Sequence, residues 1–137
     1  MLVLMLTAAL AVAQPGWTWS LYETDGTIVL ANEIPDTPQL RATLECAPRS
    51  GVATLALYGP GAAGLATLSA GGAVVATQAR RAQGDRLEMS LRADHPVFQA
   101  MTAQGRLALQ VGGQTRTVEM TDQGRPLLRR FAEQCGG

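Results

Sequence analysis

The sequence predicts a mainly β protein: an antiparallel sandwich or small barrel of seven to eight strands, with a short helix near residues 94–102 and a C-terminal helix tied by a disulfide. Three observations carry this. Short runs that alternate apolar and polar residues recur along the chain, separated by turns rich in Gly, Pro and Asp. The period changes to helical spacing only late in the chain. The two cysteines, Cys46 and Cys135, lie in one of the strand runs and in the last helical run.

The elements follow in order. Trp17, Trp19 and Leu21 alternate with Thr18, Ser20 and Tyr22, which gives a first strand. The two Trp read as core on one sheet face, with an exposed binding platform as the other reading. Asp25-Gly26 then signals a hairpin into Thr27–Ala31. Pro35 and Pro38 mark a turn or edge crossing. In Leu40–Cys46, Leu40, Ala42, Leu44 and Cys46 face inward and Arg41, Thr43 and Glu45 outward. A turn at Pro48–Gly51 leads to a strand over Val52–Tyr58. The Gly-rich stretch from Gly59 to Gly72 reads as a flexible loop with one short strand near Leu65–Leu68, and no phosphate-binding motif occurs in it.

Ala73–Gln78 forms a strand, and Ala79–Asp85 a turn that carries the basic pair Arg80-Arg81. Arg86–Arg92 alternates with Leu87, Met89 and Leu91 inward. Asp94 then caps a short helix with Pro96 in its first turn and Val97, Phe98 and Met101 on one face. Arg106–Val111 and Thr115–Thr121 make a hairpin about Gly112-Gly113. The last helix opens at Gly124-Arg125-Pro126, sets Leu127, Leu128, Phe131 and Cys135 on one face, and stops at Gly136-Gly137.

Residues 1–13 read as a signal peptide: Leu2–Val12 is apolar, too short to span a bilayer, and ends in Ala11-Val12-Ala13. No Lys or Arg precedes the run. Residues 14–137 form a single β-rich domain. An exported chain with two cysteines implies a Cys46–Cys135 disulfide, a separation of 89 residues, and a periplasmic or secreted location. No integral membrane segment is expected once the leader is cleaved.

The 137 residues carry 11 basic and 11 acidic side chains, and every basic residue is Arg. Residues 14–79 hold two Arg against five acids, and residues 80–137 hold nine Arg against six. The basic residues are interleaved with acids and form no stripe, so nucleic acid is not expected as a partner. His95 is the sole histidine and lies at a helix entry. No His, Cys and carboxylate spacing suits a metal, no hydroxyl has a neighbouring base, and no GxSxG elbow occurs. Neither enzymatic activity nor a cofactor is expected. The outward arginines Arg80, Arg81, Arg129 and Arg130 are the candidate partner-binding residues, because Arg is enriched at protein interfaces.

Val97–Met101, the strands Arg106–Val111 and Thr115–Thr121, and the run from Gly124 through Leu127-Leu128-Arg129-Arg130-Phe131 to Cys135-Gly136 resemble the ends of small exported proteobacterial proteins. This C-terminal third resembles the type VI secretion-associated accessory proteins, and less closely the invasion-associated locus B family. The resemblance implies an exported sandwich with a disulfide-tied helix and an accessory role in the envelope, and it supplies no catalytic residues. The expected function is therefore a non-enzymatic periplasmic β-rich domain that binds another envelope protein. The alternatives are a small-molecule or lipid binder, with a barrel cavity lined by Trp17, Trp19, Leu44, Leu87 and Leu109, and a hydrolase-type enzyme built around His95.

Overall fold

Alternation of apolar and polar side chains builds the sheet, and tight turns set its register. In the computed structural model, which describes residues 16–136, nine antiparallel strands and two helices follow one another. The strands are β1 (Thr18–Thr24), β2 (Thr27–Glu33), β3 (Leu40–Cys46), β4 (Val52–Tyr58), β5 (Gly64–Ala70), β6 (Ala73–Ala82) and β7 (Arg86–Arg92). Then come α1 (Pro96–Gln104), β8 (Arg106–Val111), β9 (Gln114–Glu119) and α2 (Arg125–Gly136). Residues 1–13, read above as a leader, lie outside the described residues.

Three hairpins turn on two residues that both have positive φ: Asp25-Gly26, Gly71-Gly72 and Gly112-Gly113. Turns of this hand match the twist of the flanking strands, and glycine adopts them without a Cβ clash. The strands form one continuous sheet in the order β1-β2-β3-β4-β7-β6-β5-β8-β9, which curls into a half-barrel. β6 makes the fold over. Its first seven residues pair with β5, and Arg80, Arg81 and Ala82 run on to pair with Glu88, Leu87 and Arg86 of β7.

Inward residues of both halves meet in one core, among them Leu30, Leu44, Leu55, Leu68, Leu87 and Leu109. α1 packs on β5, β6 and β8, and α2 on β1, β2 and β4, and the two helices touch each other. Leu128, Phe131 and Cys135 of α2 are fully buried, as their helical spacing predicts. Cys46 and Cys135 are bonded, with Cα atoms 5.6 Å apart. Backbone bonds from Arg49 N to Gln134 O and from Gly51 N to Cys135 O hold the same end of the helix to the β3–β4 turn. The helix lies chiefly over β2, although its covalent tie is to β3.

Four expectations need correction. The Gly-rich stretch contains a full strand, β5, which is interior to the sheet. The strand expected near Leu65–Leu68 is there but longer: its inward residues Ala66, Leu68 and Ala70 are all buried, and the small Ala66 and Ala70 give little contrast at its ends. Arg80 and Arg81 belong to β6 and not to a turn, because the strand must reach β7 to join the two halves. Trp17 is not core: it stands before β1, half-buried, over the guanidinium of Arg41. The cap of α1 is His95, whose Nδ1 accepts from Val97 N at 3.1 Å. Asp94 is engaged elsewhere, since both its oxygens accept from Arg92 at 2.9 and 2.8 Å. That exposed pair holds the Asp94 carboxyl below its ordinary range.

The entry to α2 is packed against β1. A Cβ placed on Gly124 would stand 2.7 Å from Cδ1 and 2.9 Å from Cγ of Trp19, a ring that is only 3 % exposed. Gly124→Ala should therefore destabilise the fold by about 1–3 kcal/mol through overpacking, read as a lowered urea midpoint with m unchanged. A midpoint equal to the parent's would show that the Trp19 ring shifts without cost.

Candidate functional site: the open seam of the sheet

An open sheet has two edges, and this fold treats them differently. At β1 a side chain caps the edge at one residue, Trp19. The Gln123 amide accepts from Trp19 N at 3.2 Å and donates to Trp19 O at 2.8 Å, as a neighbouring strand would, and Thr18 Oγ1 donates to the same amide oxygen at 3.1 Å. Such masking protects an edge from unwanted pairing. At β9 no strand pairs with the far side among the described residues.

Between the two edges lies a cleft of about 420 Å³. One wall is a cross-strand row of the first half of the sheet: Trp19, Asn32, Ala42 and Leu57, each opposite the next. The other wall is Arg116, Thr117, Val118 and Glu119 of β9. Four consecutive strand residues point alternately to two faces, so what borders the cleft is the edge of β9.

Two arginines enter this seam for different reasons. Arg116 stands opposite Leu109, a core residue, so the register turns its side chain inward. There its Nη2 donates to the Tyr58 carbonyl at 3.2 Å, across to the other half of the fold. Arg41 occupies a β-bulge: Asn32 pairs with Ala42 and Glu33 with Leu40, which leaves Arg41 as the extra residue. Bulges re-aim side chains. Arg41 then lies over the Trp17 ring with its guanidinium carbon 4.0 Å from the centroid. Asn32 Nδ2 donates to Thr18 O at 3.2 Å, and Glu119 is the one acid lining the cleft.

The arginines singled out in the sequence are placed apart. Arg80 shares the outer face of the first half with Glu88, with 3.6 Å between charged atoms. Arg81 pairs with Asp85 and donates to the Gly59 and Gly61 carbonyls at 3.1 and 3.3 Å. Arg129 and Arg130 are exposed on α2, which packs on the inner face of that same half. Arg80 thus sits on the opposite side of the sheet from Arg129 and Arg130, while Arg81, opposite the core residue Leu87, points to the other face from Arg80. Arg41 and Arg116 escaped the sequence reading because a bulge and a cross-strand register are non-local. The pairing of Leu109 with an inward arginine was detectable only as a break in the β9 alternation.

The outer faces of the two halves also differ. The first carries Glu33, Glu45, Arg86 and Glu88, with the Tyr22 hydroxyl donating to Glu33, an interaction that raises the Tyr22 pKa above its ordinary value. The second presents Thr67, Ser69, Ala76, Gln78, Ala108 and Gln110, with Leu65 and Val74 63 % and 59 % exposed, and carries Arg106 and Glu119 opposite each other at one end.

A larger depression, about 790 Å³, lies between the β1–β2 hairpin tip, the Pro48-Arg49 turn and the C-terminal end of α2. It is the gap left where these elements abut, and two of its polar groups pair across it: Gln134 Nε2 donates to Glu23 Oε1 at 2.9 Å. The seam is the better candidate because it combines an unpaired strand edge with inward charge.

Leu44, Leu87 and Leu109, proposed from the sequence as cavity lining, are packed in the core, and neither depression includes them. His95 is committed to its cap. Among the described residues no three His, Cys, Asp or Glu side chains are grouped to hold a metal, and no helix is long and apolar enough to cross a membrane. Comparisons with family models, curated proteins and solved structures find no match for this chain.

Proposed function

We propose that this chain is a non-enzymatic binding domain of the cell envelope that takes an extended segment of another envelope protein along the free edge of β9. The carrying observation is a difference between the two edges: Gln123 caps β1 at Trp19, whereas β9 borders an open cleft and no strand pairs with its far side among the described residues. Unpaired backbone along an edge is the template used when a peptide adds a strand to a sheet. Its sequence, Gln-Thr-Arg-Thr-Val-Glu, includes Thr and Val, which suit a strand, and holds neither Lys nor Pro. Away from Arg106 and Glu119 at one end, the outer face from β9 across β8, β5 and β6 presents Thr, Ser, Ala and Gln, which gives a partner a surface it can cover with little desolvation of charge.

Export is supported by the Cys46–Cys135 disulfide, which suits an oxidising compartment, and by the apolar N-terminal run. An accessory role is part of the proposal and rests on the resemblance of the C-terminal third of the sequence alone. Arg129 and Arg130, exposed on α2, remain a proposed secondary contact.

Site-specific photocrosslinking from the exported chain tests the reading. A probe at position 117 should capture a discrete envelope protein, and a probe at position 45, on the outer face of the first half, should not. Thr115→Lys together with Thr117→Lys, which places charge on the edge, should cut crosslinking from a probe at position 119 at least tenfold. Equal capture from position 45, or capture indifferent to the two lysines, would overturn it.

A further inference from the structure

We propose that the seam is an anion site, in which Arg41 and Arg116 receive one carboxylate whose apolar body lies against Leu57 and Val118. This deepens the strand-edge reading by naming the chemistry of what enters the cleft, and part of its test does not depend on that reading.

Arg116 is the first reason. It is turned toward the core by its pairing with Leu109, and the contact the structure gives it is the Tyr58 carbonyl. A guanidinium has five N–H donors in a planar fork, so one carbonyl leaves most of them unmatched. A charge held against apolar walls is costly unless an opposite charge meets it, and Arg116 has no carboxylate partner among the described residues.

Arg41 is the second. The bulge in β3 costs the ladder a regular pairing, and its effect is to bring this one side chain to the cleft. Stacking on Trp17 fixes the plane of the guanidinium by its face, which leaves its in-plane N–H groups free to donate at the edge. A preoriented fork is what bidentate recognition of a carboxylate uses.

Two guanidiniums against the single carboxylate of Glu119 leave the cleft with an excess of positive charge. Glu119 lies on the outward, exposed side of β9, so it borders the site at its rim. The walls are mixed: Ala42, Leu57 and Val118 stand beside the two guanidiniums, a lining matched better by a carboxylate on a short aliphatic body than by a fully polar phosphate. The volume of about 420 Å³ lies at the low end for small-ligand sites. It suits a short aliphatic acid or the last residues of a peptide, not a long acyl chain.

Nuclear magnetic resonance titrations of the oxidised protein decide this, read at the amides of residues 116–119. Hexanoate represents a free acid. A hexapeptide of alternating Thr and Val with a free C-terminal carboxylate represents a partner segment, beside its C-terminally amidated form and inorganic phosphate. Hexanoate should give saturable shifts. Arg41→Gln and Arg116→Gln should each weaken it about tenfold or more, the loss expected for a charge-assisted hydrogen bond. Glu119→Gln should strengthen it. If Arg116→Gln perturbs the fold by circular dichroism, Arg41→Gln, exposed at its bulge, carries the decision.

The free-acid peptide should bind more tightly than hexanoate because it adds pairing along β9. Binding of hexanoate with no gain from the peptide would leave the anion site standing and remove the strand-edge reading. Equal binding of the amidated and free-acid peptides would do the reverse. Phosphate binding as well as hexanoate, the absence of saturable shifts, or indifference to both arginine variants would overturn the proposal.

Discussion

Replacing both cysteines, Cys46→Ala with Cys135→Ala, should lower the unfolding free energy by about 4–5 kcal/mol, the loop-closure entropy of a cross-link over 89 residues. Against a typical total of about 5–15 kcal/mol, that is a large share of what holds the domain folded. The loss should also be uneven in the native state. α2 reaches the β3–β4 turn through the disulfide and through the bonds from Arg49 N to Gln134 O and from Gly51 N to Cys135 O. Without the cross-link these two bonds stand at a helix terminus, where fraying is easiest. Native-state hydrogen exchange should therefore show the amides of Arg49, Gly51 and the last turn of α2 losing protection first, with the β3–β4 and β4–β7 ladders retained. Loss of protection in equal measure across sheet and helix would show that the bond stabilises only by restricting the unfolded chain.

The difference between what was legible in the sequence and what was not follows from the range of the interactions. Cys46 belongs to a clean alternating run and Cys135 to a clean helical one, so each side chain's direction is set by its immediate neighbours, and the pairing follows. The same holds for the Asp25-Gly26 hairpin and for the inward faces of β7 and β8. β5 is legible only in its middle, near Leu65–Leu68, and its full extent failed for a local reason: the inward Ala66 and Ala70 are small and alternate with Leu65, Thr67 and Ser69, so the contrast is weak. The reach of β6 to β7 failed for a global one. Arg80 and Arg81 extend a strand because the sheet must turn back on itself there, a requirement no window of sequence contains.

The candidate site lies wholly in this second class. Trp19, Asn32, Ala42 and Leu57 become one wall only through three registers. Arg41 reaches it only through a bulge, and β9 opposes them only because the sheet does not close. In the sequence, charge is conspicuous at the outward arginines. In the fold, Arg80 and Arg81 meet Glu88 and Asp85, whereas the arginines without a carboxylate at the seam are Arg41 and Arg116.

Phe131→Ala should cost about 3–5 kcal/mol, the range for removing a buried aromatic ring and leaving its cavity. Phe131 is fully buried, with Leu128 and Cys135 on the same face of α2. The variant is also informative in combination. Phe131 and the disulfide both hold α2, one by packing and one covalently, so their effects should not add. In the protein without the cross-link the last turns of α2 already open, and part of the Phe131 packing is lost before the substitution is made. A double-mutant cycle by urea unfolding should accordingly give a coupling of about 0.5–3 kcal/mol, with the Phe131→Ala cost smaller in the Cys46→Ala, Cys135→Ala background. Strict additivity would mean that Phe131 keeps its packing without the disulfide. The helix would then be held by its inner face alone, with the cross-link acting on the unfolded chain. The consequence reaches the seam, since Gln123 and Gly124 lead into α2 and lie against Trp19. If the helix loosens as a unit, Phe131→Ala should also raise exchange at the Trp19 amide by uncovering the β1 edge.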